Sequence, residues 1–403
     1  MNYANVLSVI RRTKLIMSKG ALNKMKSFRL IPALVAAAML VGCVPSNEGG
    51  TELTQETQQD EKTETTIIPS IQIDESYYKT LIPYKESASR GLVVSNIYTK
   101  YDMKEVEAGL MRLSHHEFDT ENYYFQEGQY LAESTVSSWL ARSSQTEDGL
   151  NPPITDTMTP EERAKKAPIY LSHIVEQNYL TKTKDNKVKL GGISIGLALN
   201  SIYYYQKEQY GEYYEEPISE SELVEQGKKM AAEIVSRLRT GDELKDIPIV
   251  VGLFKQQARN QIIPGAYFSY GVAKAGQNNI ADWEGIDENY VLFPTDDSQD
   301  VYRDVSKNFK IFKQDVDKYF SNYTSVIGTG FYRNKEIQKL TIEIPIQFFG
   351  KAEIIGFTQY LTGILINRFN NIHVEVSITS VNGPEALINK KANDTDPYVH
   401  VYE

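Results

Sequence analysis

Cysteine is nearly absent, with one residue, Cys43, in a chain of 403. A single thiol excludes an internal disulfide framework and the thiolate clusters that hold zinc or iron–sulfur centres. Histidine is almost as scarce, at five residues, and only His115 and His116 are close together. The run His115-His116-Glu117 reads as a solvated helix start or turn instead of a metal site, because adjacent side chains diverge and no H-E-x-x-H spacing accompanies them. No P-loop, dinucleotide fingerprint or calcium loop is present, so no cofactor is called for. An excess of positive charge is confined to the front of the chain. Seven Lys and Arg and no acid precede Cys43, which leaves 36 basic against 53 acidic residues, a charge of about −17. Such a surface repels phosphate backbones and excludes nucleic acid as a partner.

Long hydrophobic runs are also lacking. The longest, LIPALVAAAMLVG at residues 30–42, falls short of the roughly 20 apolar residues a membrane-spanning helix needs. It has the length of a secretory h-region, and Lys24, Lys26 and Arg29 before it supply a basic n-region. Leu40-Val41-Gly42-Cys43 then matches the bacterial lipobox, in which small residues admit the backbone to a peptidase and the thiol accepts diacylglycerol. The solitary cysteine is thereby read as a lipid anchor that holds the protein on the extracellular face of the cell membrane. Two acyl chains at about 0.8 kcal/mol per buried CH₂ give stable attachment where one would be marginal. Residues 1–24 exceed what a leader needs, so the start is expected at Met25 or Met17. After Cys43, residues 43–75 are rich in Glu, Gln, Thr and Gly and are expected to form a disordered acidic tether.

The remainder is expected to fold, as a front region with a first repeat over 76–262 and a second repeat over 263–403. Ile193, Ile195, Leu197 and Leu199 alternate with Ser194, Gly196 and Ala198, the pattern of a strand with one buried face. A helix follows, capped by Ser219 and Glu222 and striped by Leu223, Gly227, Met230, Ile234 and Leu238. IPIVVGLF at 247–254 is the next strand. The second copy runs from Leu340, Ile342, Ile344 and Ile346 through a helix at about 351–369 to a strand at 373–378. An amphipathic helix is expected before each copy, at 167–180 and at 305–323, and a short one begins near Thr159 and Pro160. The fold class is therefore α+β with two related repeats, each a mixed or antiparallel sheet packed with helices.

Two constellations could carry function. Gly192-Ile193-Ser194-Ile195-Gly196 matches the G-x-S-x-G elbow of serine hydrolases, which makes an envelope hydrolase using Ser194 the alternative reading. The polar approach TKTKDNKVK and the strand continuing through Ser194 argue against it. The insertion YYYQKEQYGEYYEEP at 203–217 gathers Tyr205, Tyr210, Tyr213 and Tyr214 into a candidate binding surface for a protein, peptide or glycan of the envelope. The competing reading is that these rings pack on the core at the end of a strand.

Several long stretches then match a known family in order: YKTLIPYKESASRGL at 78–92, GGISIGLALNSIYYY, QGKKMAAEIVSRLR, DIPIVVGLFKQ and PIQFFGKAEIIGFTQYL. With these the chain resembles the CamS family of sex pheromone lipoproteins of Gram-positive bacteria, from about Tyr77 to the C-terminus. The resemblance implies an α+β body with two related repeats and no settled biochemical activity, anchoring on the outer face of the membrane, and a leader that is the source of a short hydrophobic peptide; the body is read as non-enzymatic. The corresponding segment here is Ala36 to Gly42, AAAMLVG, which is rich in alanine and carries no aromatic ring.

Overall fold

A computed structural model of the chain describes residues 50–56, 63–92, 97–296, 299–319, 325–347 and 350–403. Its helices are α1 (Lys100–Ser114), α2 (Glu133–Leu140), α3 (Pro160–Lys166), α4 (Glu220–Leu238), α5 (Asp300–Tyr319) and α6 (Lys351–Arg368). The first sheet contains β1 (Gly50–Glu56), β2 (Thr63–Pro69), β3 (Lys79–Thr80), β4 (Tyr123–Glu127), β5 (Leu171–Lys182) and β6 (Lys187–Leu199). Two further strands, β7 (Ile202–Gln206) and β8 (Tyr213–Pro217), pair as a separate hairpin. The first sheet then continues with β9 (Ile249–Lys255), β10 (Ala266–Ala273) and β11 (Trp283–Gly285), in the order β11-β10-β9-β6-β5-β4-β3. The second sheet lies in chain order: β12 (Glu288–Phe293), β13 (Ile327–Arg333), β14 (Glu336–Pro345), β15 (Val374–Ser380), β16 (Gly383–Lys390) and β17 (Tyr398–Val401).

The two sheets share a central plan within an α+β fold. In each, a hairpin leads through a helix into a parallel strand and out through a second hairpin. Strands β6 and β9 pair parallel across α4, with Ile193 opposite Ile249, and β14 and β15 pair parallel across α6, with Leu340 opposite Val374. A parallel pair needs such a crossover, because no tight turn can return the chain to the same end of the sheet. The strands and helices expected here are the observed elements. Ser219 caps α4 by accepting the Glu222 N–H, and Thr159 with Glu162 forms a complete capping box on α3. In the second sheet α5 and α6 cover one face, where Phe309, Phe312, Phe357, Leu361 and Leu365 are fully buried. Each such side chain contributes about 1.5–3 kcal/mol.

Four expectations differ from the structure. Residues 167–180 do not form a helix; they contain β5, hydrogen-bonded between β4 and β6. This strand is buried continuously from Leu171 to Leu180 because the sheet is covered on both sides, so it has no period of two to read. For the same reason β6 is not one-sided. Ser194, Gly196 and Ala198 face α1 and are as buried as the aliphatic residues opposite.

Part of the expected tether is ordered, with β1 and β2 forming an antiparallel hairpin whose β1 also pairs parallel with β6. Leu53, Ile68 and Thr66 give this polar segment a buried face. Residues 43–49 lie outside the described residues, as does the expected leader. Finally, β10 and β11 belong to the first sheet, so the change of sheet falls between Gly285 and Glu288 and not at residue 263.

A candidate ligand pocket beside the first sheet

The first sheet separates two cores. On one face α4 packs with α2; on the other α1 lies across the sheet, with Val106, Leu110 and Leu113 against Val175, Tyr179, Val250 and Tyr267. Glycines set how closely α1 approaches. A Cβ on Gly196 would lie 2.4 Å from the Tyr267 hydroxyl, and one on Gly252 would lie 2.7 Å from the Tyr267 ring. That hydroxyl donates to the Val106 carbonyl of α1 at 2.7 Å.

Beside this contact α1, β4, β5 and the segment 87–90 bound a cavity of about 190 Å³. Met111, Phe125, Ile174 and Val175 supply apolar walls, and the polar groups lining it include His173, Glu107, Glu127 and Arg90. His173 is fully buried, and neither ring nitrogen has a hydrogen-bond partner among the described residues. Burial alone drives its pKa down to about 4, so the ring is neutral at neutral pH. Glu107 sits at the rim with its pKa raised, first by desolvation and then by the charge of Glu127, while Arg90 opposes the shift.

The other polar groups of the pocket are committed. Glu127 accepts the Ser87 N–H at 2.6 Å and the Tyr84 hydroxyl, and Arg90 lies 3.9 Å away while pairing Glu86 at 2.9 Å. Gln177 donates to the Glu107 backbone carbonyl at 2.8 Å and accepts from the Tyr179 hydroxyl at 2.9 Å. Glu176 accepts the backbone N–H groups of Gln129, Tyr130 and Leu131 at 2.7–3.1 Å. The arrangement is a small polar-and-apolar chamber with one neutral imidazole free at its wall. Among the described residues no group of three His, Cys, Asp or Glu could hold a metal ion.

The residues singled out in the sequence lie elsewhere. Leu40, Val41, Gly42 and Cys43 fall outside the described residues. Tyr205 and Tyr214 sit opposite each other on the β7–β8 hairpin with rings stacked at 5.6 Å, and Lys207 lies 4.3 Å over Tyr214. Tyr213 is exposed beside Arg259, whose guanidinium lies 4.0 Å over Tyr204. Tyr210 occupies the turn at φ 65° and is 90% exposed. The hairpin therefore stacks largely on itself and on two cations.

Ser194 is fully buried in mid-strand, 3.5 Å from the Tyr179 hydroxyl, and β6 runs on to Leu199 without the sharp strand-to-helix turn of an elbow. The two glycines flanking it serve packing, with Gly192 against Phe118 and Gly196 against Tyr267. His115 closes α1 and packs edge-on against Tyr78 at 4.9 Å, while His116 stacks on Tyr270 at 5.1 Å. His173, Glu107 and Glu127 had no motif to mark them. Read as strand, β5 would have placed His173 on the face shared by Val175, Gln177 and Tyr179.

The sheets, their helical crossovers and a pocket without an elbow or metal cluster define an α+β protein with two similarly built sheets. The comparisons then fix the family. Residues 84–396 match the model described as "CamS sex pheromone cAM373 precursor", and the chain belongs to that family. The solved C-terminal domain of the sex pheromone staph-cAM373 precursor from Staphylococcus aureus is 34% identical, with a TM-score of 0.67 over 76% of this chain and 98% of that one. A sex pheromone precursor from Lactobacillus salivarius is also 34% identical, with a TM-score of 0.77 over 83% of this chain and 98% of that one. No curated protein matches the sequence. Among the described residues no helix is long and apolar enough to cross a membrane.

Proposed function

We propose that this protein is a membrane-anchored extracellular lipoprotein of the sex pheromone precursor type. Its leader, ending at Gly42, is removed at the lipobox, Cys43 carries diacylglycerol, and Ala36–Gly42 is the source of a short hydrophobic peptide. The folded body is a non-catalytic module that binds a ligand or partner of the cell envelope.

The observation that carries this reading is Leu40-Val41-Gly42-Cys43 behind a basic n-region and an apolar h-region, in a chain of this family. A lone thiol in that setting has a chemical use, and the chain offers it no disulfide partner. For the body, support comes from the chamber around His173, and from the burial of Ser194 in an uninterrupted strand.

Cys43→Ser in a Gram-positive host should move the protein from the membrane fraction to the medium or to a soluble wall fraction and abolish incorporation of labelled palmitate. A variant that stays with the membrane, or a wild type that takes up no palmitate, ends the anchored reading.

A further inference from the structure

The chamber has a definite chemical preference. Its imidazole is held neutral with one donor and one acceptor unused, and leaving a buried polar group unpaired costs about 1–3 kcal/mol, of which an occupant that donates to the acceptor nitrogen recovers the acceptor's share. The charges around it are not balanced. Arg90, the cation of the lining, is already engaged by Glu86 and Glu127, whereas Glu107 has no ion pair among the described residues and lies within the field of Glu127. A carboxylate entering here would meet two like charges. Glu107 is exposed at the rim, so a neutral ligand leaves it to water, whereas a cation gains an ion pair there and donates to the acceptor nitrogen of His173. The volume, about 190 Å³, is below the roughly 300–1,000 Å³ of drug-sized pockets and suits a body of a few carbons.

We propose that this pocket binds a small primary ammonium compound with an apolar body, its ammonium group held between Glu107 and the His173 imidazole and its hydrocarbon against Met111, Phe125 and Val175. The inference deepens the binding-module reading given above, and rests on it. Glu107 selects charge from the rim. His173 supplies a directional acceptor from within, and the walls exclude longer or bulkier amines.

The test uses the full-length chain and three probes of one shape: 3-methylbutylamine, 3-methylbutanol and 3-methylbutanoate, titrated by calorimetry at pH 7.5. The amine should bind saturably at one site, at least tenfold more tightly than the alcohol or the acid. Glu107→Gln, a rim substitution that leaves the core untouched, should weaken the amine at least tenfold, and His173→Phe, checked for folding by circular dichroism, should do the same. Absence of saturable amine binding, discrimination below tenfold, or a Glu107→Gln effect below tenfold overturns the assignment. Preferential binding of the acid would overturn the ammonium assignment while leaving the binding-module reading standing. Fractionation of the Cys43→Ser protein tests the anchor separately.

Discussion

Two buried titratable groups on the α1 side of the first sheet push stability in opposite directions with pH. Asp102 lies fully buried in the first turn of α1, its carboxylate accepting the Gly265 N–H at 2.6 Å and the Gln257 N–H at 3.2 Å. Desolvation outweighs these bonds and raises its pKa from 3.8 to about 6. The folded state therefore takes up the proton first, so this contribution is fully present below pH 3.8 and is lost as the pH rises through about 6. His173 behaves in the reverse sense. Its folded pKa is depressed from 6.5 to about 4, so its contribution is present above pH 6.5 and is lost as the pH falls through about 4. At 1.36 kcal/mol per pH unit each effect is worth roughly 3 kcal/mol, and the windows overlap, so the two largely offset on acidification. Asp102→Asn removes one side of that balance. Compared by urea denaturation at pH 7 and pH 4, the variant should lose about 2 kcal/mol more than the wild type on acidification, because at pH 4 the unfolded carboxyl is already partly protonated. Parallel pH profiles for the two proteins would refute this account.

At the scale of elements, the contact between α1 and the sheet depends on space that glycines leave for Tyr267. Because a Cβ on Gly196 would sit 2.4 Å from the Tyr267 hydroxyl, Gly196→Ala must displace a ring buried on all sides and bonded to Val106, an overpacking that costs about 1–3 kcal/mol. Gly285→Ala, where nothing lies within 4 Å, should change stability by less than about 0.5 kcal/mol. Equal losses at both positions, measured by urea midpoint, would show that backbone entropy and not the ring sets the cost. The same glycine shows what a one-dimensional pattern can hide, since Gly192 and Gly196 matched a hydrolase motif and serve as room for aromatic rings. Strands β14 and β15 and helices α4 and α6 were legible because their apolar spacing follows from how one face is covered, and β9, buried on both faces, was legible as a short continuous apolar run. Strand β5 was not, since its buried positions include the polar Ser172, His173, Glu176, Gln177 and Asn178, which leaves Leu171, Ile174, Val175, Tyr179 and Leu180 at spacings that also suit a helix. The hairpin of β1 and β2 was hidden by its Thr- and Glu-rich composition, which only Leu53, Ile67 and Ile68 interrupt. The pocket was illegible for a related reason: His173 lies on the misread strand, and Glu107 and Glu127 reach it only through the docking of α1 and the pairing of β4 with β5.

Across the whole molecule, the described body forms one compact unit although it contains two sheets with separate cores. Arg112 is the link. From α1 its guanidinium reaches Glu105 at 2.6 Å and Glu288 of β12 at 2.7 Å, and it covers the Phe331 ring of β13 at 4.6 Å. Glu288 is bound in addition by Arg333 at 2.8 Å, but Glu105 has no other cation among its ion pairs, and burial raises its pKa against the pull of Arg112. Arg112→Met would leave that carboxylate with the Tyr290 hydroxyl but no cation in a low-dielectric seam, where removing one partner of a buried pair costs about 3–5 kcal/mol. The partial exposure of the Arg112 side chain, 25%, favours the low end, about 3 kcal/mol. Loss of the link should also be visible as loss of cooperativity. The chain has two tryptophans, Trp139 and Trp283, and both belong to the first sheet's core. Tryptophan fluorescence therefore follows the first sheet alone, whereas far-ultraviolet circular dichroism follows both. In the wild type the two urea transitions should coincide, the signature of a single cooperative unit. In Arg112→Met the dichroism should begin to fall at lower urea than the fluorescence, because the second sheet, with α5 and α6 on one face, no longer draws stability from the first. If both signals shift together, the sheets are coupled by the remaining packing of β10 on β12, and Arg112 adds stability without holding the halves together.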